Sequence, residues 1–157
     1  MQQNTNFLQQ AIELAYANAQ QGGRPFGALV VRNGQIIAQG VNEIITTNDP
    51  TAHAELQAIR AASQHLGSAS LAGCSVFASG HPCPMCMAAM RLAGVKEVTY
   101  AYSNEDGDPY GLSTAEIYAD LSRPFDQQSM TIRHVPARLA GRPHLYAYWQ
   151  QTRQKEV

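Results

Sequence analysis

Apolar positions in the first twenty residues recur at helical spacing: Phe7, Ala11 and Leu14 beside Leu8, Ile12 and Ala15. That stripe predicts an amphipathic helix from Asn6 to about Gln20, ended by Gly22-Gly23. The period then changes. Ala28-Leu29-Val30-Val31 and Ile36-Ile37-Ala38 flank Asn33-Gly34, a two-residue turn whose residues tolerate the left-handed backbone of a tight hairpin. Asp49-Pro50 predicts a helix start, with the helix running through Glu55, Ile59 and Ala62. Ser75-Val76-Phe77-Ala78-Ser79 reads as a short strand, and a helix opening near Pro82 carries Met87, Met90, Arg91 and Leu92 as far as Gly94. Val98 to Tyr102 is a further strand, Ala115 to Leu121 a short helix, Met130 to Val135 an alternating last strand, and Pro143 to Lys155 a terminal helix. No repeat, low-complexity tract or linker interrupts this order. It predicts one α/β domain, residues 1–157, with a single sheet covered by helices on both faces.

Composition adds little to that picture but removes alternatives. The chain is 45% hydrophobic and 15% charged with a formal net charge of −1, an ordinary globular balance. No apolar run approaches the roughly 20 residues that a membrane-spanning helix needs. The polar start Met1-Gln2-Gln3-Asn4-Thr5-Asn6 lacks a secretory pattern, so the expected compartment is the cytoplasm. Arg133, Arg138, Arg142, Arg153 and Lys155 make the end of the chain basic, and Glu105-Asp106-Gly107-Asp108 is acidic; both read as solvated surface rather than a nucleic-acid stripe. Three cysteines without an export signal argue for metal or redox chemistry over a disulfide framework.

Two segments carry that chemistry: Thr51-Ala52-His53-Ala54-Glu55 and Pro82-Cys83-Pro84-Met85-Cys86. Each opens a predicted helix. Cys83 and Cys86 sit three apart, on one side of a first turn, where unpaired N–H groups and the positive dipole end favour thiolates. His53 and Glu55 are two apart and share no helix face, yet both reach a target lying off the helix N-terminus, because side chains tilt that way. His53, Cys83 and Cys86 would then be three ligands of a Zn2+ ion whose fourth position is open, the pattern of a catalytic site. Two thiolates weaken the ion as a Lewis acid, which gives Glu55 the task of general base. Cys-x-x-Cys alone would also suit a thioredoxin-type redox pair, and His-x-Glu alone would usually be helix surface. Together, with Pro82 ahead of Cys83, they match the zinc-deaminase signature His-x-Glu with Pro-Cys-x-x-Cys.

At these residues the chain resembles the cytidine-deaminase superfamily. Asn48 to Glu55 resembles a segment common to bacterial guanine deaminases and tRNA adenosine deaminases, and Pro25-Phe26-Gly27-Ala28 and Gly40-Val41-Asn42 are similar to their substrate-pocket segments. Length and the stretch holding Tyr118 look most like the small bacterial guanine deaminases. The resemblance implies a three-layer α/β/α sandwich with a five-stranded mixed sheet, a homodimer, and hydrolysis of an exocyclic amine to a carbonyl and ammonia. It implies that Asn42 hydrogen-bonds the base, that Phe26 lines or stacks in the pocket, and that Ala54 and Thr114 also border the substrate. Guanine to xanthine is the leading reaction; cytosine, adenine, an aminotriazine or a tRNA adenosine are the alternatives. Three positions depart from the guanine pattern: Thr114 stands where an acid is expected, His81 where many relatives have glutamate, and the chain ends on Val157 rather than an aromatic. Glu116 and Asp108 are the acids nearest Thr114 in sequence, and each reads more simply as solvated surface. His81 reads as structural, with an indirect influence on the metal as the other reading. Cys74 reads as a buried small hydrophobe, and His65, His134 and His144 have no partner at ligand spacing.

Overall fold

The computed structural model describes residues 1–153, and the terminal residues from Gln154 to Val157, including Lys155 of the expected last helix, lie outside the described residues. The chain forms two compact units, residues 1–122 and 123–157.

The first unit opens with helix α1 (Gln2–Gln20), which buries Phe7, Ala11 and Ala15 along one stripe. Strands β1 (Gly27–Arg32) and β2 (Gln35–Val41) pair antiparallel around Asn33-Gly34, both with positive φ, as the two-residue turn demands. A short helix α2 (Ile44–Thr47) precedes α3 (Ala54–Leu66), which Gly67 ends in the left-handed conformation. Strand β3 (Cys74–Gly80) runs antiparallel to β1; helix α4 (Pro84–Leu92) then crosses over to β4 (Glu97–Tyr102), parallel to β3. The sheet order is β2-β1-β3-β4.

Alternation along β1 explains why the sheet is covered on both faces. Leu29 and Val31 pack with Phe7, Ala11 and Phe77 under α1. Ala28 and Val30 face the other way, into a cluster with Ala54, Ala58 and Ala62 of α3 and Cys86 and Met90 of α4. The alanines of α3 let that helix lie close. Gly40 of β2 goes further: a Cβ there would stand 2.6 Å from the Ala58 nitrogen, so only glycine admits the first turn of α3 at this distance.

Beyond β4 the unit continues through α5 (Asn104–Gly107), a 3₁₀ turn (Asp108–Tyr110) and α6 (Ala115–Leu121). Ser103 and Asp106 form a reciprocal capping box that starts α5. The second unit holds a 3₁₀ turn (Phe125–Gln127) and helix α7 (Leu145–Arg153).

The mixed α/β sheet agrees with expectation, but it has four strands among the described residues, not five. Met130 to Val135, the expected fifth, has no regular structure, and Met130, Ile132 and Val135 are exposed. Alternation selects a strand only where a neighbouring strand pairs its N–H and C=O groups, and this segment has none. Four helix starts also shift: α1 begins at Gln2 rather than Asn6 and α7 at Leu145 rather than Pro143, and the starts of α3 and α4 move as well. Asp49 caps a turn, accepting from the Thr51 N–H at 2.8 Å and the Thr51 hydroxyl at 2.7 Å, while His53 occupies the N-cap of α3. An aspartate that bonds the N–H two residues on serves a turn as well as a helix cap, so the sequence alone does not separate them. Likewise Cys83, not Pro82, caps α4, with Pro84 in the first helical position.

Candidate active site

The starts of α3 and α4 converge at one end of the sheet. His53 and Cys83 are both N-cap residues in extended conformation, so their side chains project off the helix ends. Cys86, one turn into α4, points to the same spot. Cys83 Sγ lies 3.4 Å and Cys86 Sγ 3.6 Å from His53 Nδ1, and the two sulfurs are 3.6 Å apart. Tetrahedral zinc with bonds of about 2.3 Å to sulfur and about 2.0–2.1 Å to nitrogen sets its ligands roughly 3.6–3.8 Å from one another. The three donors therefore match the ion in type and in spacing, and they are the three-residue metal cluster found among the described residues. Both cysteines are free thiols, as is Cys74, which is buried in the core.

Glu55 completes this corner. Its side chain is almost wholly buried, and its Oε2 accepts from the Cys86 thiol at 3.0 Å. Burial raises the Glu55 pKa, because a charge in a poorly solvated place is costly; the bond from Cys86 pulls it partly back. Without metal, the two thiols share their protons unequally. Cys83 is lowered to about 4, first by its side-chain hydrogen bond with Cys86 and then by His53, against the opposing effect of burial. Cys86 is raised, first by the same bond with Cys83, then by burial and by the Glu55 carboxylate. His53 is raised, chiefly by its bond to Cys83. A thiolate already formed at Cys83 is half of what a metal requires.

A cavity of about 260 Å³ opens onto this corner, lined by Phe26, Asn42, Ala54, Glu55, Thr114 and Cys83 among others. Asn42 is buried; its Oδ1 accepts from the Ile44 N–H at 3.1 Å, which leaves the amide NH₂ for other partners. Its main-chain N–H donates to Phe26 at 3.2 Å, and its carbonyl accepts from Asn18 at 2.8 Å, so the Asn42 and Phe26 walls are tied together. Opposite, Thr114 precedes α6 and donates both its N–H (3.1 Å) and its hydroxyl (3.4 Å) to Asn104 Oδ1.

Residues 1–102 match the family described as the cytidine and deoxycytidylate deaminase zinc-binding region. The chain belongs to this family. Its deaminase relatives include the guanine deaminase of Bacillus subtilis, 41% identical over 82% of this chain and 83% of the relative. A tRNA-specific adenosine deaminase of Agrobacterium fabrum is 34% identical over 90% of this chain and 86% of its own length. The crystal structure of the Bacillus subtilis guanine deaminase superposes with a TM-score of 0.83 at 37% identity, covering 96% of this chain and 93% of that one. The chain is thus a deaminase domain of a zinc-binding family, and His53, Cys83 and Cys86 form a site of the dimensions zinc requires.

Seven of the eight site residues named from sequence line this one cavity, namely Phe26, Asn42, His53, Ala54, Glu55, Cys83 and Thr114, while the eighth, Cys86, is fully buried beside Cys83. Glu116 and Asp108 are exposed and do not line it. His65 of α3 does not line it either. Sequence reasoning missed Arg24, Ser113 and Ile117 as wall residues, the position of His81 in the cavity, and Asn104 behind it. One signal was available. His81 follows β3 directly and Asn104 follows β4 by two residues, and the C-terminal ends of parallel strands are where α/β sheets bind ligands.

Proposed function

We propose that this chain is a zinc-dependent aminohydrolase of a free nucleobase, with guanine to xanthine and ammonia as its leading reaction. One observation carries the reading: a buried carboxylate, Glu55, borders both the metal ligands and a cavity small enough for a single heterocycle. At about 260 Å³ the cavity falls just below the ~300–1,000 Å³ usual for ligand pockets, which suits a base without ribose or phosphate. When bound by His53, Cys83 and Cys86, zinc supplies the Lewis acidity that makes water a nucleophile at neutral pH.

The chain's own groups do the rest. Asn42 offers its amide NH₂ to the edge of the base, and Phe26 offers a ring face or edge. Glu55, whose burial raises its proton affinity, takes a proton from the attacking water and returns it to a ring nitrogen. The water oxygen bonds to the amine-bearing carbon, the carbon–nitrogen bond breaks, and a second proton carried by Glu55 leaves with ammonia. Water and amine together become carbonyl and ammonia, so atoms balance.

Thr114 favours a second reading, deamination of another amino-heterocycle such as cytosine, adenine or an aminotriazine. A single neutral hydroxyl oxygen meets guanine's paired N–H groups less well than the two oxygens of a carboxylate would. A net charge of −1 speaks against a tRNA substrate. Ammonia release by the zinc-loaded protein, measured across free bases, nucleosides and a tRNA anticodon stem, tests these readings. Release from tRNA alone would overturn the free-base reading.

The same proposal takes residues 1–157 as one deaminase domain acting as a homodimer in the cytoplasm. No helix among the described residues is long and apolar enough to cross a membrane. Leu92 at the end of α4 and Tyr100 and Tyr102 on the open edge strand β4 are exposed apolar groups of the kind a second copy would cover. Sedimentation equilibrium measures this directly.

A further inference from the structure

His81 stands next to the turn that carries the metal ligands, and hydrogen-bond accounting fixes what it presents to the cavity. Asn104 Oδ1 accepts from the Thr114 main-chain N–H, which can only donate. That bond orients the Asn104 amide, so its Nδ2, a donor, faces His81 Nδ1 at 3.2 Å. His81 Nδ1 is therefore an acceptor, and the ring proton sits on Nε2. Tyr100 and Tyr118 meet the imidazole edge-on, with centroids 4.7 Å and 5.4 Å away, and hold its plane. The Tyr118 hydroxyl donates to the Pro82 carbonyl, which ties this clamp to the residue before Cys83.

His81 lines both this cavity and a neighbouring one of about 470 Å³ that also holds Phe26 and Asn104, and its Nε2 has no protein partner among the described residues. No buried polar side-chain atom among them lacks a partner, so Nε2–H is open rather than sealed in. Arg24, another pure donor, lines the smaller cavity, whereas Glu55 is the only carboxylate among the described residues that line it. Thr114 has turned its hydroxyl proton towards Asn104. The cavity lining thus pairs donors at His81 and Arg24 with an acceptor at Thr114, whose oxygen keeps its lone pairs.

We infer that His81 is a specificity-determining residue, donating its Nε2–H to an acceptor atom of the substrate, a carbonyl oxygen or an unprotonated ring nitrogen. Asn104 is the positioning residue that sets this tautomer. The selected substrates are amino-heterocycles that offer a lone pair to His81. This inference rests on the free-base reading and deepens it.

Binding separates the two. Dissociation constants are measured for the zinc-loaded, full-length Glu55→Gln protein, which is meant to bind without turnover, against guanine and three analogues. Each analogue lacks one acceptor: 2-aminopurine the 6-oxo group, 7-deazaguanine N7, and 3-deazaguanine N3. His81→Phe keeps the ring packing between the tyrosines and removes the donor. It is expected to weaken guanine by about 5- to 100-fold, the range for a lost hydrogen bond at a desolvated site, yet to leave one of the three analogues nearly unchanged. His81→Gln, which restores an N–H donor, recovers most of the guanine affinity. In 15N spectra of the full-length zinc-loaded protein, His81 should show an unprotonated Nδ1 and a protonated Nε2, and Asn104→Ala should abolish that single tautomer. Equal weakening of all four ligands by His81→Phe, or a proton on Nδ1, would overturn the inference. Absence of ammonia release from every base by the wild-type protein overturns the free-base reading instead, whatever the tautomer.

Discussion

The two sides of the pocket are built by different means. The metal side is made from helix ends: His53 and Cys83 cap α3 and α4, and those helices bury Ala54, Ala58, Ala62 and Met90 against β1 and β3. The far side, from Asn104 to Ile117, contains no fully buried residue and hangs on side-chain bonds through Asn104 and Tyr118. On the proposed function, chemistry is anchored in the core, where position is costly to change, and selection on a wall where it is cheap to change. A family that performs one reaction on several bases needs that division.

The most severe way to break the comparison is on the metal side. Cys86→Ala removes a ligand, and the protein is expected to lose both its zinc, by elemental analysis, and all measurable turnover. Retained zinc at one ion per chain would mean that the three donors are not the site. Next comes Glu55→Gln, which keeps shape but not proton transfer. Activity should fall by at least ~10²–10⁴-fold while zinc content and circular dichroism stay as in the wild type. Near-normal turnover would remove Glu55 from its role.

A third measurement uses the asymmetry between the thiols. A pKa lowered to about 4 means Cys83 keeps its thiolate at neutral pH and loses it only as pH falls through about 4. In metal-free protein, alkylation of Cys83 followed by mass spectrometry should therefore change little between about pH 8 and pH 5, where an ordinary thiol slows about tenfold per unit below its pKa. Cys86, shifted upward, should lag behind it throughout, and zinc should protect both. A Cys83 rate that falls tenfold per unit from pH 8 downward counts against the shared-proton pair. The smallest effect belongs to the far wall. Thr114→Asp gives guanine's N–H groups an acceptor and should raise kcat/KM for guanine by about tenfold, ~1.4 kcal/mol in the transition state. No gain, with the fold intact, would show that this wall does not touch the base's N–H edge.

What could be read in advance follows the same division. The clustering of His53, Cys83 and Cys86 was legible because metal chemistry restricts both residue type and spacing, and because helix starts announce themselves locally. The hairpin at Asn33-Gly34 was legible for the same reason: a left-handed turn accepts few residues. Asn104 was not, since an asparagine after a strand carries no local mark; its role comes from Thr114, ten residues away, and His81, twenty-three away. The expected strand at Met130 failed on the complementary point. Alternation is a local property, whereas a strand exists only through its neighbour.

One feature of the metal corner reaches beyond catalysis. His53 and Cys83 lie 30 residues apart along the chain, with all of α3 and β3 between them. A cross-link closing a loop of that length deprives the unfolded chain of conformational freedom worth about 3–4 kcal/mol on the chain-entropy estimate. An ion held there is a clasp as well as a reagent. Chelation would then do two kinds of harm at once, silencing the enzyme and loosening the middle of its sheet to proteases.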